Sequence, residues 1–167
     1  MQSSAYAQVL SQNHTVFLPM AFSAGSPTHP SYGAGHATVA GACVTVLKAW
    51  FDEAASLTEL FAAYKPKDPG PTLQQVSPGL AGPTPYAGKL SVEGELNKLA
   101  SNVAMGRSMG GVHWRSDNTR SLRLGEAIAV EILRKRTLEY AESASFSLRS
   151  FDGRRISIGG GVVTVRP

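Results

Sequence analysis

Apolar positions repeat at helical spacing directly after a short glycine-rich turn. From His36 onward, Ala40, Val44 and Leu47 would share one stripe of a helix, with Phe51 at its end, because residues three and four apart lie on the same face. A second apolar stripe runs beside the first, so this helix is predicted to be buried on most sides. The second stripe consists of Cys43, Val46 and Trp50.

Two further long helices are predicted downstream, and a short one near the start, over 5–12. Ser91 suits the N-cap of the first long helix, since its hydroxyl can accept a hydrogen bond from the first turn, where Glu93 and Glu95 favour the helix dipole. The second is predicted from about Leu122 to Tyr140. The predicted inner faces consist of Leu96, Leu99, Ala100 and Val103 in the first and Leu124, Ile128, Ile132 and Leu133 in the second.

The last part of the chain changes to the alternation that is typical of β-strands. Phe146 and Leu148, then Ile156 and Ile158, stand on either side of Asp152-Gly153. This pattern predicts a small hairpin over 145–158 with a two-residue primed turn. The residues after it form either a last extended segment or a tail outside the fold.

A proline-rich stretch separates the predicted helices. Residues 65–90 hold six of the ten prolines, which indicates a long loop, either the wall or lid of a cleft or an inert surface excursion. The chain has 167 residues, enough for one hydrophobic core. We therefore predict a single, mainly α-helical domain over 1–167 that ends in a small hairpin.

Charge and composition narrow the choice of partners. The net charge is +4, and the excess lies after residue 70, where thirteen Lys and Arg stand against eight Asp and Glu. This balance suits an anionic ligand, or else a solvated basic surface. The basic residues are not interleaved with aromatic ones, which argues against nucleic acid as a partner. The single Cys43 cannot form an internal disulfide and is expected in the core.

Targeting signals are not evident in the sequence. No apolar run approaches the roughly 20 residues of a membrane span, so no membrane span is expected. The first residues lack the charged start and apolar middle of a signal peptide. The compartment therefore stays open.

Two histidine–glycine stretches carry the candidate chemistry. The first is 29–36, His-Pro-Ser-Tyr-Gly-Ala-Gly-His, and the second is 106–117, Gly-Arg-Ser-Met-Gly-Gly-Val-His-Trp-Arg-Ser-Asp. A guanidinium, imidazoles and the free N–H groups at a helix start are what binds a phosphate-shaped oxyanion. We therefore predict an oxyanion site.

The candidate residues also have ordinary structural interpretations. His36 and His113 are each set beside glycines that allow a ligand to approach closely. Arg107 either binds the anion or caps helix carbonyls. Asp117 either orients His113 through a hydrogen bond or caps the following helix, and His29 is a possible electrostatic neighbour of His36.

The same stretches resemble the second and third signature segments of vanadium-dependent haloperoxidases. The 26–30 approach, Ser-Pro-Thr-His-Pro, and the 111–117 run, Gly-Val-His-Trp-Arg-Ser-Asp, are most similar to the bromoperoxidase branch of red algae and cyanobacteria. This family shares its core with the type 2 phosphatidic acid phosphatases. The resemblance extends over 17–158 and implies a helical bundle of the haloperoxidase and acid phosphatase type.

The resemblance also implies roles for single residues. His113 would be the axial ligand of vanadium, Arg107 would donate hydrogen bonds to equatorial oxygens, and the N–H of Gly35 would hold another oxygen. His36 would be the acid–base group that deprotonates hydrogen peroxide, and His29 would modulate the halide site. The implied cofactor is vanadate, with phosphate as an analogue. The implied partners are hydrogen peroxide, a halide and an organic acceptor, in a homo-oligomer.

Two departures from the family pattern bear on activity. Ala34 stands where the family has a serine, which removes one hydroxyl from the oxyanion site. The family also carries an upstream segment with a lysine and another arginine, whereas 1–13 contains neither residue type. We therefore expect this chain to correspond to the C-terminal part of a haloperoxidase, to bind vanadate weakly alone and to show little turnover.

Two alternative functions stay open at this point. In a phosphatase of the same superfamily, His36 would protonate the leaving group and His113 would attack phosphorus. In a non-catalytic alternative, the chain is a helical fragment that oligomerises through its apolar helices and has no affinity for oxyanions.

Overall fold

The computed structural model describes residues 4–15, 30–57, 74–75, 84–85 and 90–167. Within these ranges the fold is mainly helical, with a small antiparallel sheet at the end of the chain, as predicted. The helices are α1 (Ser4–Asn13), α2 (Gly35–Trp50), α3 (Val92–Met109) and α4 (Arg115–Glu139). The strands are β1 (Gln74–Gln75), β2 (Thr84–Pro85), β3 (Ser145–Arg149), β4 (Arg155–Gly159) and β5 (Val162–Arg166).

Two glycines allow α2 and α4 to cross in backbone contact. A Cβ atom placed on Gly125 of α4 would overlap the carbonyl oxygen of Thr38, and one placed on Gly41 of α2 would overlap that of Leu122. No side chain fits between backbones at this separation, so only glycine is compatible with the crossing. Helix α2 also packs against α3, which makes it the central helix of the described bundle.

The inner face of α4 differs from the predicted one. Leu133 is buried as expected, but Leu124, Ile128 and Ile132 are 52%, 43% and 48% exposed. The close crossing at Gly125 explains the difference, because only small side chains fit against α2 and the bulky ones turn away. The buried residues of α4 are Asp117, Asn118, Ser121, Gly125, Glu126, Ala129, Leu133 and Thr137.

Helix α2 is less buried than its apolar sequence predicts. Val39 and Trp50 are 63% and 72% exposed, and Cys43 is exposed rather than in the core. Helices α3 and α4 cover only part of its circumference. The side left open is an apolar groove of about 670 Å³ between α2 and α3, which begins at Gly35 and His36.

The starts of α3 and α4 are set by side chains that accept backbone hydrogen bonds. The hydroxyl of Ser91 accepts one from the Gly94 N–H at 3.1 Å, which confirms the predicted N-cap. Helix α4 begins at Arg115 rather than near Leu122. The carboxylate of Asp117 accepts the N–H of Trp114 at 3.1 Å and so fixes the earlier start.

The sheet has three strands in the order β3-β4-β5, so the residues after the predicted hairpin form a third strand. The β3–β4 connection is not a two-residue turn. Ser150 and Arg154 close it with a 2.8 Å hydrogen bond, and Gly153 has a φ of 79°, as in a three-residue loop. The two-residue turn with positive φ, 54° and 76°, lies instead at Gly160 and Gly161.

A buried lysine attaches the sheet to the helices. The Lys48 ammonium donates to the carbonyl of Arg149 at 2.7 Å and lies 4.0 Å from the Glu126 carboxylate. Glu126 accepts the N–H of Phe151 at 2.7 Å, and Glu53 accepts the N–H of Arg149 at 2.9 Å. Burial lowers the pKa of Lys48, and the negative charges of nearby glutamates offset this lowering only in part. Burial also raises the pKa of Glu126. Beside these polar contacts, the sheet packs on α4 through Leu133, Leu148, Ile156 and Ile158.

Most of the predicted 65–90 loop lies outside the described residues. Within it, β1 and β2 pair antiparallel. The interpretation of this segment as a cleft wall, and that of 1–167 as one domain, stay predictions. None of the described helices is long and apolar enough to cross a membrane.

The helix crossing predicts the effect of adding one methyl group. Gly125→Ala is expected to lower the free energy of unfolding by about 1–3 kcal/mol, because the Cβ meets backbone that cannot move aside. Gly106→Ala is the control, since a Cβ atom there has no neighbour within 4 Å and alanine favours a helix. Urea unfolding measures both variants, and a Gly125→Ala protein as stable as Gly106→Ala would contradict the close crossing.

The buried lysine predicts a contrast between two lysines. Lys48→Met is expected to lower the free energy of unfolding by about 3 kcal/mol, because it leaves the Arg149 carbonyl and the Glu126 carboxylate without their cation. Lys98→Met removes an exposed ion pair with Glu95. This substitution is expected to change the free energy of unfolding by less than about 1 kcal/mol. Equal destabilisation by the two substitutions, measured by urea unfolding, would refute the role given to Lys48.

Candidate functional site

The first histidine–glycine stretch leads directly into α2. Ala34 is the N-cap residue, fully buried and in extended conformation, and it offers no side-chain cap. The first N–H groups of a helix have no partner within it. With respect to the described residues, the N–H groups of Gly35 and His36 are therefore available to a ligand. The His36 side chain lies in the first turn and is exposed.

The N–H of Ala34 itself is held by a distant helix. It donates to the hydroxyl oxygen of Ser121 at 2.8 Å, a buried contact between residues 87 positions apart. Ala34 and Ala37 also pack against Ala104 of α3 and Leu122 of α4. The start of α2 is thus fixed against both neighbouring helices.

Arg107 lies in the last turn of α3. Its Nε atom is buried and has no hydrogen-bond partner among the described residues. A buried guanidinium nitrogen without an acceptor is unusual, and it is the donor expected at an anion site. The alternative, that Arg107 caps the carbonyls at the end of α3, has no support from a contact of Nε.

His113 and Asp117 face each other across the start of α4. Both side chains are only 5% exposed, and Nδ1 of His113 lies 3.6 Å from Oδ2 of Asp117. The role of Asp117 at the start of the helix is observed, because its carboxylate accepts the Trp114 N–H, whereas its contact with His113 is an approach of two buried side chains longer than a hydrogen bond. With Nδ1 turned toward the carboxylate, Nε2 is the ring nitrogen that remains for a ligand.

The Asp117 carboxylate is favoured in its ionised form. Burial raises its pKa, but this effect is outweighed by hydrogen bonds from the Trp114 N–H and the Ser116 hydroxyl and by the nearby side chains of Ser31 and His113, so that the pKa lies below its ordinary value. Ser31 belongs to the first histidine–glycine stretch. Asp117 is therefore a point at which the two stretches meet.

The first turns of α4 connect the remaining parts of the site. The Asn118 amide donates to the hydroxyl of Ser108 at 2.7 Å, directly after Arg107 in α3. Asp117 thus contacts His113 and Trp114, Asn118 contacts the end of α3, and Ser121 contacts the start of α2. Sequence reasoning missed Asn118 and Ser121, because the predicted helix began only at Leu122. The signal that could have placed both residues in a helix was Asp117, because an aspartate is favoured at the start of a helix.

The structure brings the predicted site residues together only in part. Gly35, Ala34, Arg107, His113 and Asp117 are all linked to α4 or to the helix ends beside it, whereas His29 lies outside the described residues. Within the described part of the chain, no group of three or more His, Cys, Asp and Glu side chains is arranged to hold a metal ion. The donors present are imidazole, guanidinium and backbone N–H groups, the set that binds an oxyanion.

The sequence of this chain is similar to those of known proteins. Residues 3–141 match the family model described as the VCPO second helical-bundle domain. The chain is 50% identical over 141 residues to the vanadium-dependent bromoperoxidase of Corallina pilulifera, covering 84% of this chain and 22% of the relative. It is 41% identical over 145 residues to that of Ascophyllum nodosum, covering 86% and 24%. The chain thus spans about a quarter of the length of these curated relatives.

A solved structure has a similar fold. It is the homohexameric structure of the second vanadate-dependent bromoperoxidase from Ascophyllum nodosum. It matches this chain with a TM-score of 0.66 at 28% sequence identity. The match covers 96% of this chain and 32% of that chain. The chain belongs to the family of the VCPO second helical-bundle domain, which confirms the resemblance to vanadium-dependent haloperoxidases seen in its motifs.

Proposed function

We propose that this chain forms the oxyanion-binding part of a vanadate-dependent bromoperoxidase, which oxidises bromide with hydrogen peroxide. The observation that carries the proposal is the buried Nε of Arg107, which has no hydrogen-bond partner among the described residues, in a chain whose relatives are bromoperoxidases. Since the chain spans about a quarter of those relatives, the activity is proposed for the assembled site. The organic acceptor of the resulting halogenating agent is the third proposed substrate.

The residues present fit vanadate. Arg107 would donate to its oxygens from the end of α3, and the N–H of Gly35 would donate from the start of α2. His113 would supply the imidazole nitrogen, with Nε2 free because Nδ1 faces Asp117. Vanadate bound here would supply a Lewis acid that polarises a peroxide oxygen for attack by bromide.

The protein's own part is to position these donors and to move a proton. The Asp117 carboxylate, which lies 3.6 Å from Nδ1 of His113, would orient the imidazole ring. Arg107 is positioned by the last turn of α3. His36 is exposed in the first turn of α2, where its imidazole can take a proton from hydrogen peroxide as it enters. His29 is kept as a proposed modulator of the halide site.

Assembly into a homo-oligomer is also proposed for this chain. Bulky apolar side chains are exposed on the outer face of α4, at Leu124, Ile128 and Ile132, and Trp50 is exposed on α2. Contiguous exposed apolar residues of this kind mark surfaces that bury against protein. The structural neighbour is homohexameric, which supports the same proposal.

Vanadate binding tests the proposed site. Arg107→Gln and His113→Ala are each expected to weaken vanadate binding about tenfold or more, the loss that corresponds to one hydrogen bond with a charged group. Titration followed by ⁵¹V NMR measures the dissociation constant. Arg120→Gln is the control, because Arg120 lies exposed on α4 and should leave binding unchanged.

The same proteins separate the three candidate functions. Bromide-dependent halogenation of an organic acceptor, requiring vanadate and hydrogen peroxide, is the outcome expected of the chain in an assembled site. Hydrolysis of a chromogenic phosphomonoester that vanadate inhibits would favour the phosphatase alternative. A stable oligomer that binds neither vanadate nor phosphate would favour the non-catalytic alternative. Equal vanadate binding by the wild-type protein and all of the variants would show that Arg107 and His113 do not form the binding site.

The His113–Asp117 contact predicts a second variant. Asp117→Asn is expected to weaken vanadate binding about 10- to 100-fold, as the loss of a carboxylate that orients a ligating histidine does. Because the pKa of Asp117 is lowered in the folded protein, its stabilising contribution is present above the unfolded value of about 3.9 and is lost as the pH falls further.

Urea unfolding as a function of pH provides the second measurement. The difference in stability between the wild-type protein and Asp117→Asn should be largest at neutral pH and should vanish in acid. Asp152→Asn, which changes an exposed carboxylate of the β3–β4 loop, serves as the matched control for vanadate binding. Wild-type affinity in Asp117→Asn would rule out the orienting role.

A further inference from the structure

Within the described part of the chain, Ser121 is the one α4 side chain that forms a hydrogen bond with the backbone at the start of α2. Its hydroxyl oxygen lies 2.8 Å from the Ala34 nitrogen, and only 3% of the residue is exposed. Neither the motifs nor the proposed ligands include Ser121. Its place one turn before Gly125, on the face of α4 in backbone contact with α2, brings its short side chain to this position.

The contact fixes the peptide that precedes Ala34. A Cβ atom built on Gly33 would lie 3.1 Å from the same hydroxyl oxygen, so Ser121 also limits what fits at Gly33. An N–H group buried at Ala34 without an acceptor would be unfavourable, and Ala34 has no hydroxyl of its own to rearrange. The acceptor must therefore come from another element, and α4 supplies it.

The peptide that follows Ala34 is held from the other side. The Ala34 carbonyl accepts the N–H of Thr38 at 2.9 Å and the hydroxyl of Thr38 at 3.1 Å. In a trans peptide the N–H of the next residue points opposite to the carbonyl. The N–H of Gly35 is therefore directed out of the helix start, toward the space that an oxyanion would occupy.

We propose that Ser121 is a positioning residue of the oxyanion site, which sets the direction of the Gly35 and His36 N–H groups through the Ala34 backbone. The inference rests on the proposed function, because it gives these N–H groups an oxyanion to bind. With both neighbouring peptides held, the φ and ψ of Ala34, −79° and 101°, are determined from two sides. Removal of the hydroxyl frees the first side and lets the first turn of α2 reorient.

The test compares three substitutions on α4 in the full chain. Ser121→Ala removes the acceptor, Ser121→Thr keeps it, and Thr119→Ala removes an exposed hydroxyl that bonds only within its own helix, to the carbonyl of Arg115. Vanadate dissociation constants come from ⁵¹V NMR under conditions where circular dichroism shows each protein to be folded. Residual dipolar couplings of the Gly35 and His36 amides, which report the direction of each N–H bond, are measured by NMR without vanadate as the second readout.

Ser121→Ala is expected to weaken vanadate binding about fivefold, the factor for one ordinary hydrogen bond, and to change the couplings of both amides. Ser121→Thr should keep both properties at their wild-type values, and Thr119→Ala should change neither. If Ser121→Ala lowers the thermal midpoint but keeps wild-type affinity and couplings, Ser121 only stabilises the fold and the inference is wrong.

Failure of the proposed function gives a different result. It is shown by a wild-type chain that binds no vanadate, alone or with the remainder of a bromoperoxidase. The residual dipolar couplings then decide the positioning role without a ligand. Unchanged couplings in Ser121→Ala would overturn it, and altered couplings in Ser121→Ala with wild-type couplings in Ser121→Thr would support it.

Discussion

The rest of the structure depends on the backbone contact between α2 and α4. Gly41 and Gly125 let the two helices approach until carbonyl oxygens of one lie where side chains of the other would be. Only at this separation does the short Ser121 side chain reach Ala34, and only small residues fit beside it. The cluster at the start of α2 accordingly consists of Ala34, Ala37 and Ala104 with Leu122. A looser crossing filled by leucines would separate the two histidine–glycine stretches.

Helix α4 serves the site with one end and the sheet with the other. Its first turns carry Asp117 and Ser121, which hold His113 and Ala34, and its later turns carry Glu126 and Leu133, which hold the sheet. Glu126 directly follows Gly125, so the position of its carboxylate near Lys48 is set by the same crossing. Stability and site geometry are thus coupled through one rigid element, and a substitution at the crossing affects both.

The sequence was sufficient for those features that side-chain type and spacing determine. The start of α2, the Ser91 cap and the alternation of Phe146, Leu148, Ile156 and Ile158 all follow from local rules. The inner face of α4 did not follow, because periodicity counts bulky apolar residues, while a helix in backbone contact turns glycine, serine and alanine inward. The residue types of the site were likewise predictable, but the Ser121–Ala34 bond joins residues 87 positions apart, and no local pattern specifies it.

The hydrogen bond between Ser121 and Ala34 changes how the alanine at position 34 is interpreted. A serine at an N-cap can direct its hydroxyl to the N–H groups of its own first turn, where it competes with a bound anion for the same donors. With Ala34 those donors carry no side-chain cap, and the Ser121 hydroxyl occupies the one N–H that lies outside the helix start. The substitution removes a hydroxyl that could contact an oxyanion directly. It keeps the backbone donors of Gly35 and His36 uncapped and oriented, so the oxyanion contacts proposed for α2 depend on backbone geometry, while the His36 imidazole keeps its proposed acid–base role.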